Sequence, residues 1–180
     1  MLGAIGPHKG SSVVHALARD ARRRRLALAF TIVGYSDIPE RMEALGVTET
    51  GRYAGSEEAL ALLARHDIDL ILIPSIWPET YCYTLSIGLV SGLPVAVFDL
   101  GAPADRLRAA GTGHRLDPAL ANDPGQMNDR LLALDLDDTS PAHLQSNISF
   151  ASYPSLLRDY YSIPGIDKTA PPPRAKGITA

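Results

Sequence analysis

Apolar residues along this chain follow two alternating rhythms. Runs dominated by apolar residues, at Leu2 to Ile5, Leu26 to Val33, Ile68 to Ile73 and Val95 to Phe98, lack the regular polar alternation of a half-exposed strand. They read as strands covered on both faces. Between them, apolar residues recur at steps of three and four, the spacing of a helix with one buried stripe. The first strand, Leu2-Gly3-Ala4-Ile5, is broken by Gly6-Pro7-His8-Lys9-Gly10, and Ser11 or Ser12 is placed to cap a helix carrying Val13, Val14, Leu17, Ala18 and Ala21. After the Leu26 to Val33 strand, Gly34-Tyr35-Ser36-Asp37 reads as a turn and Pro39 to Leu45 as a short helix ended by Gly46. A brief strand is expected near Tyr53. Ser56 then caps a helix with Leu60, Leu62 and Leu63 that leads into the Ile68 to Ile73 strand. Thr80 to Ser91 follows as a helix closed by Gly92, then the Val95 to Phe98 strand, a helix after Pro103, a weak strand at His114 to Leu116 and a helix from Gln126 to Leu134.

Strands separated by helices must run parallel, so the expected fold is α/β: a doubly wound, mostly parallel, Rossmann-like sheet with helices on both faces. Such sheets bind ligands at the carboxyl ends of their strands. This domain is expected to span residues 1–138. A C-terminal helical segment, 139–163, with Leu144, Ile148, Leu156, Leu157 and Tyr160 and an interruption at Pro154, is expected to pack back on it. Residues 164–180, with Pro171-Pro172-Pro173, read as a disordered tail.

Composition narrows the classes. The 180 residues, 46% hydrophobic and 21% charged, suit an ordinary globular chain that buries roughly 70% of its unfolded surface without staples. Cys82 is the single cysteine, which excludes an intrachain disulfide and points to a reducing, cytoplasmic setting. A net charge of −3 argues against nucleic-acid binding. The basic run Arg22-Arg23-Arg24-Arg25 falls where the first helix should end, and there each charge meets the carbonyl end of the helix dipole for roughly 0.3–1 kcal/mol. No run approaches the ~20 apolar residues of a bilayer span, so no membrane span is expected. No repeat and no metal-ligand cluster stands out, and no metal site is expected.

Candidate chemistry lies on three loops at strand carboxyl ends. Gly6-Pro7-His8-Lys9-Gly10 combines glycines, free amides of the following helix and the Lys9 charge, a set suited to a diphosphate. It is neither Gly-x-x-x-x-Gly-Lys-Ser/Thr nor Gly-x-Gly-x-x-Gly. Trp77-Pro78-Glu79-Thr80-Tyr81-Cys82 places Glu79 at the start of a helix, where the dipole alone also favours an acid. Cys82 reads as a small buried residue, because nothing supplies it with a base. Asp99-Leu100-Gly101-Ala102-Pro103 offers Asp99 to a ligand or to a cap.

Taken together, Pro7-His8-Lys9-Gly10, Ile32-Val33-Gly34, Pro74-Ser75 with Glu79-Thr80-Tyr81, Ser91 to Val95 and Asp99 to Asp105 resemble, in order and spacing, the C-terminal donor-binding domain of B-type-fold glycosyltransferases of the family 4 group. The resemblance covers residues 2–135. It implies a nucleoside-diphosphate-sugar donor, a saccharide or lipid-linked acceptor as in polysaccharide biosynthesis, retention at the anomeric carbon, and no obligatory metal or further cofactor. It implies donor binding by Gly6, Lys9, Gly34, Ser75, Glu79, Thr80, Tyr81 and Cys82, with Lys9 on the diphosphate. Glu79 takes the catalytic position, against the hydroxyls of the transferred sugar.

Two positions depart from the family pattern. Members usually carry a second Glu for the ribose where this chain has Ile87, and an Arg where it has Ala4. Losing a charged acceptor costs on the order of 1.5–3 kcal/mol, roughly 10- to 150-fold in affinity. The resemblance also implies an N-terminal acceptor domain missing from this chain, and exposed apolar surface where it docks. A non-catalytic nucleotide-sugar-binding domain and an unrelated nucleotide-binding doubly wound domain stay open as alternatives.

Overall fold

The computed structural model describes residues 1–137; the segments expected at 139–163 and 164–180 lie outside the described residues. The chain alternates β1 (Leu2–Ile5), α1 (Ser11–Arg24), β2 (Thr31–Ser36), α2 (Pro39–Glu43), β3 (Thr48–Glu49), α3 (Ser56–Arg65), β4 (Ile71–Ile73), α4 (Tyr83–Ser91), β5 (Val95–Phe98), α5 (Gly101–Ala110), β6 (His114–Leu116) and α6 (Pro124–Leu132). Single 3-10 turns at Pro7–Lys9 and Pro118–Asn122 precede α1 and α6. All strand pairs are parallel, in two ladders of order β1-β2-β3 and β4-β5-β6. β1 lies beside β4, so the order runs 3-2-1-4-5-6 and reverses between β1 and β4. In a doubly wound sheet that reversal opens the crevice where ligands sit.

Period-two alternation of side chains explains why these strands are apolar throughout. Ile5, Ile32, Leu72, Ala96 and Phe98 join one core with Val13, Val14 and Leu17 of α1 and Met127 and Leu131 of α6. Their neighbours along the strands, among them Ile71 and Val95, point the other way, where α4 lays Gly88 against both side chains. α3 packs beside α4 on this second side. Leu17, Ile32, Leu85, Leu107 and Met127 are fully buried, each contributing about 1.5–3 kcal/mol relative to exposure.

The elements form in the expected order, but several boundaries differ, and pairing explains most of them. β2 starts at Thr31 rather than Leu26, because Leu2 stands opposite Val33 and Thr48 opposite Thr31, and neither ladder reaches further back. Gly34-Tyr35-Ser36 belongs to β2 instead of a turn, since Gly3, Ala4 and Ile5 pair with it. A Cβ on Gly34 (φ 134°) would stand 2.0 Å from the Gly3 carbonyl oxygen, so this register demands glycine. The third strand forms at Thr48–Glu49 and not near Tyr53, and β4 shortens to Ile71–Ile73 opposite Val95 to Val97. Helix caps differ as well. Gly10 and Gly55 occupy the N-cap positions of α1 and α3 without side-chain caps, and Ser11 is already inside its helix. α4 begins at Tyr83 instead of Thr80, because Cys82 takes a left-handed conformation (φ 65°) that no helix interior accommodates.

Candidate functional site

Two loops meet at the carboxyl ends of β1 and β4. The first folds into a 3-10 turn in which the Gly6 carbonyl accepts from the amides of Lys9 (3.0 Å) and Ser11 (3.1 Å). Gly10 then starts α1 in a left-handed conformation, pressed so closely on the second loop that a Cβ would lie 2.0 Å from the Pro74 carbonyl oxygen. The loops are stitched further by the Ile76 amide donating to the His8 carbonyl at 3.1 Å. Ser75 Oγ lies 3.2 Å from the carbonyl oxygens of both His8 and Trp77, and its single hydrogen serves one at a time. The rings of His8 and Trp77 pack at 5.3 Å. These contacts hold two segments almost seventy residues apart in fixed relation.

Across that joint Lys9 Nζ donates to Glu79 Oε2 at 3.1 Å. The Lys9 side chain is 43% exposed and that of Glu79 only 15%. Glu79 Oε1 is buried and has no hydrogen-bond partner among the described residues. A buried acceptor left empty costs about 1–3 kcal/mol, and more when it is charged. The carboxylate therefore has one recessed oxygen to which no described residue donates.

Bracing from α5 fixes the Glu79 loop. The Ala102 amide donates to the Glu79 carbonyl at 2.9 Å. Arg106 Nη1 donates to the carbonyls of Tyr81 (2.9 Å) and Cys82 (3.0 Å), and its Nη2 donates to Ser86 Oγ (2.8 Å). The same guanidinium sits 4.5 Å over the Tyr81 ring, which packs in turn on Tyr83. Arg106 lies about two dozen residues along the chain from the loop it holds, and no local spacing announces it.

Glu79 thus precedes α4 by a loop and is not a first-turn acid. Thr80 is exposed, Tyr81 half-buried, and Cys82 buried at the N-cap of α4 rather than one turn inside it. Burial pushes the Cys82 thiol up, against a weaker opposing contact from Thr84 Oγ1 at 3.3 Å. A protonated, buried thiol is a poor nucleophile. Gly34 lies in β2, beneath a neighbouring cavity and apart from the two loops. Asp99 pairs with Arg108 at 2.9 Å, and Leu100, not Asp99, occupies the N-cap position of α5. Ile87 is buried within α4 and Ala4 is exposed on β1. Ile76, Trp77 and Tyr83 present large apolar side chains to solvent beside the ion pair. Among the described residues no group of three or more His, Cys, Asp or Glu is arranged to hold a metal ion, and no helix is long and apolar enough to cross a membrane.

No protein-family model and no curated protein matches this chain. Solved structures do. A glycosyltransferase from Rickettsia africae is 19% identical with a TM-score of 0.58, over 89% of this chain and 46% of its own. HepE from Anabaena, solved with UDP-glucose, is 17% identical with a TM-score of 0.55, over 81% and 42%. The C-terminal domain of LpcC, a glycosyl transferase group 1 protein of Francisella tularensis, is 15% identical with a TM-score of 0.51, over 88% and 85%. The chain spans less than half the length of the first two and most of the isolated LpcC domain. At these identities the likeness establishes the fold, the α/β Rossmann-like architecture of the C-terminal half of B-type glycosyltransferases.

Proposed function

We propose that this chain is the donor-binding domain of a B-type glycosyltransferase. It holds a nucleoside-diphosphate sugar while the sugar passes, with retention, to a saccharide or lipid-linked acceptor presented by an N-terminal domain outside this chain. The observation that carries the reading is the half-satisfied Glu79 carboxylate beside the Lys9 ammonium, at the reversal point of the sheet. Sugar hydroxyls are the donors a recessed carboxylate oxygen lacks. Lys9, almost half exposed, can turn from Glu79 to a phosphate oxygen, where a charge-assisted contact contributes roughly 1.5–3 kcal/mol. As the glycosidic bond to the diphosphate breaks, negative charge grows on the leaving phosphate and the ammonium stabilises it most at that stage. Glu79 meanwhile fixes the orientation of the sugar. The exposed Ile76, Trp77 and Tyr83 give the acceptor domain an apolar surface to cover.

Calorimetric titration with nucleoside diphosphates and their sugar conjugates tests this. The wild-type chain binds at least one pair, and Lys9→Ala weakens both members by about 10- to 150-fold. Binding of free mononucleotides or dinucleotides with no binding of sugar conjugates contradicts the proposal. A second reading, a non-catalytic nucleotide-sugar-binding domain, draws support from Ile87, whose buried apolar side chain offers nothing to a ribose. Under that reading donor binding persists, and supplying an acceptor half restores no transfer.

A further inference from the structure

A cavity of about 170 Å³ opens at the carboxyl ends of β1 and β2, lined by Gly3, Ala4, Gly34, Tyr35, Arg52 and Tyr53. Its floor is bare backbone: Gly3 and Gly34 stand opposite each other, and Ala4, on a central strand, is exposed. Arg52 overhangs it with its guanidinium 4.3 Å from the centre of the Tyr35 ring, and makes no hydrogen bond or ion pair among the described residues. The loop that carries it is fixed. The Thr50 amide donates to the Ile32 carbonyl (3.0 Å), the Gly51 amide to the Gly34 carbonyl (2.8 Å), and the Gly34 amide to Thr50 Oγ1 (2.9 Å).

The cavity adjoins the site already described. A Cβ on Gly3 would stand 3.1 Å from the Thr84 methyl, and Thr84 contacts Cys82, three residues after Glu79. Lys9 lies on the loop that follows β1, and Arg52 lines the cavity together with Gly3 and Ala4 of the same strand. A volume of about 170 Å³ falls below the ~300–1,000 Å³ of a site that encloses a whole small ligand, so it takes only part of an extended one. Arg52 covers one face of the Tyr35 ring and keeps its hydrogen-bonding edge unpaired among the described residues, so the cavity offers a planar guanidinium to an anion.

We infer that Arg52 is a second cationic contact for the diphosphate of the nucleotide, in addition to Lys9. This inference rests on the donor-binding reading proposed above. The test is calorimetric binding of UDP, GDP and ADP and of their parent nucleosides to the wild-type chain, Arg52→Ala and Arg52→Lys. Where the wild type binds a diphosphate, Arg52→Ala weakens it about tenfold or more, Arg52→Lys less, and the nucleoside is unaffected by either. Thermal midpoints stay close to wild type, because Arg52 is exposed. If Arg52→Ala binds within twofold of wild type while Lys9→Ala is impaired, the inference fails and the donor-binding reading stands. An equal loss for nucleoside and diphosphate overturns it too. If the wild type binds no diphosphate, both fall.

Discussion

Two recessed carboxylates in this molecule have opposite surroundings. Asp20, on α1, has both oxygens occupied: Arg23 donates to Oδ1 at 2.6 Å, and Arg24 (3.2 Å) and Asn128 (3.0 Å) donate to Oδ2. Asn128, fully buried on α6, also donates to the Leu17 carbonyl at 3.0 Å, while Arg24 reaches Asp129 at 2.5 Å, so the cluster fastens α6 to α1. Its one leftover is a neutral amide oxygen, Asn128 Oδ1. Glu79 has one oxygen on Lys9 and the other without a donor among the described residues. A satisfied buried carboxylate is explained by the fold; a half-satisfied one leaves an acceptor for water or a ligand.

The largest expected effect falls on α1, which begins at the Lys9 loop and carries Asp20. Gly10→Ala combines a left-handed conformation with a backbone clash, and urea unfolding should give a loss of about 2–4 kcal/mol together with weaker nucleotide binding. Unchanged stability would mean that the two loops do not pack as described.

Asp20→Ala comes next. It takes away one of the two acceptors of the buried Asn128 amide and should cost about 1–3 kcal/mol in urea unfolding with no change in nucleotide affinity. The acid limb sharpens the same point. The Asn128 hydrogen bond, then Arg24, hold the Asp20 carboxyl below its ordinary 3.8 against the opposing effect of burial. A depressed acid contributes stability that is present above the unfolded value and lost as pH falls through the folded one. Stability should therefore drop below about pH 4, and Asp20→Asn should lose that part of the drop.

The smallest effect belongs to Cys82. Cys82→Ala should leave nucleotide affinity within about twofold, because its raised, buried thiol serves packing. A large loss of binding, with the fold intact, would place the thiol in the site after all.

Much of this was legible in the sequence, for identifiable reasons. Runs such as Val95 to Phe98 and stripes such as Val13, Val14 and Leu17 report burial directly, so the order of elements could be read. Boundaries could not, because Thr31 and Thr48 become strand through pairing with residues far along the chain. Lys9 and Glu79 were each legible as loop residues at strand ends. Their 3.1 Å approach depends on β1 lying beside β4, and their bracing depends on Arg106 of α5. Ser11 and Ser56 show the limit of local rules: each has the chemistry of a cap, yet a glycine precedes it and takes the position.

The most direct test of the central claim is Glu79→Gln, measured for stability and for binding of a sugar conjugate against its bare diphosphate. The account predicts stability close to wild type, since the ion pair removed is with a half-exposed lysine and an amide oxygen can still accept from it, with affinity for the conjugate falling further than affinity for the diphosphate. A loss of stability like that of Asp20→Ala, with both affinities unchanged, would contradict it and make Glu79 a structural residue.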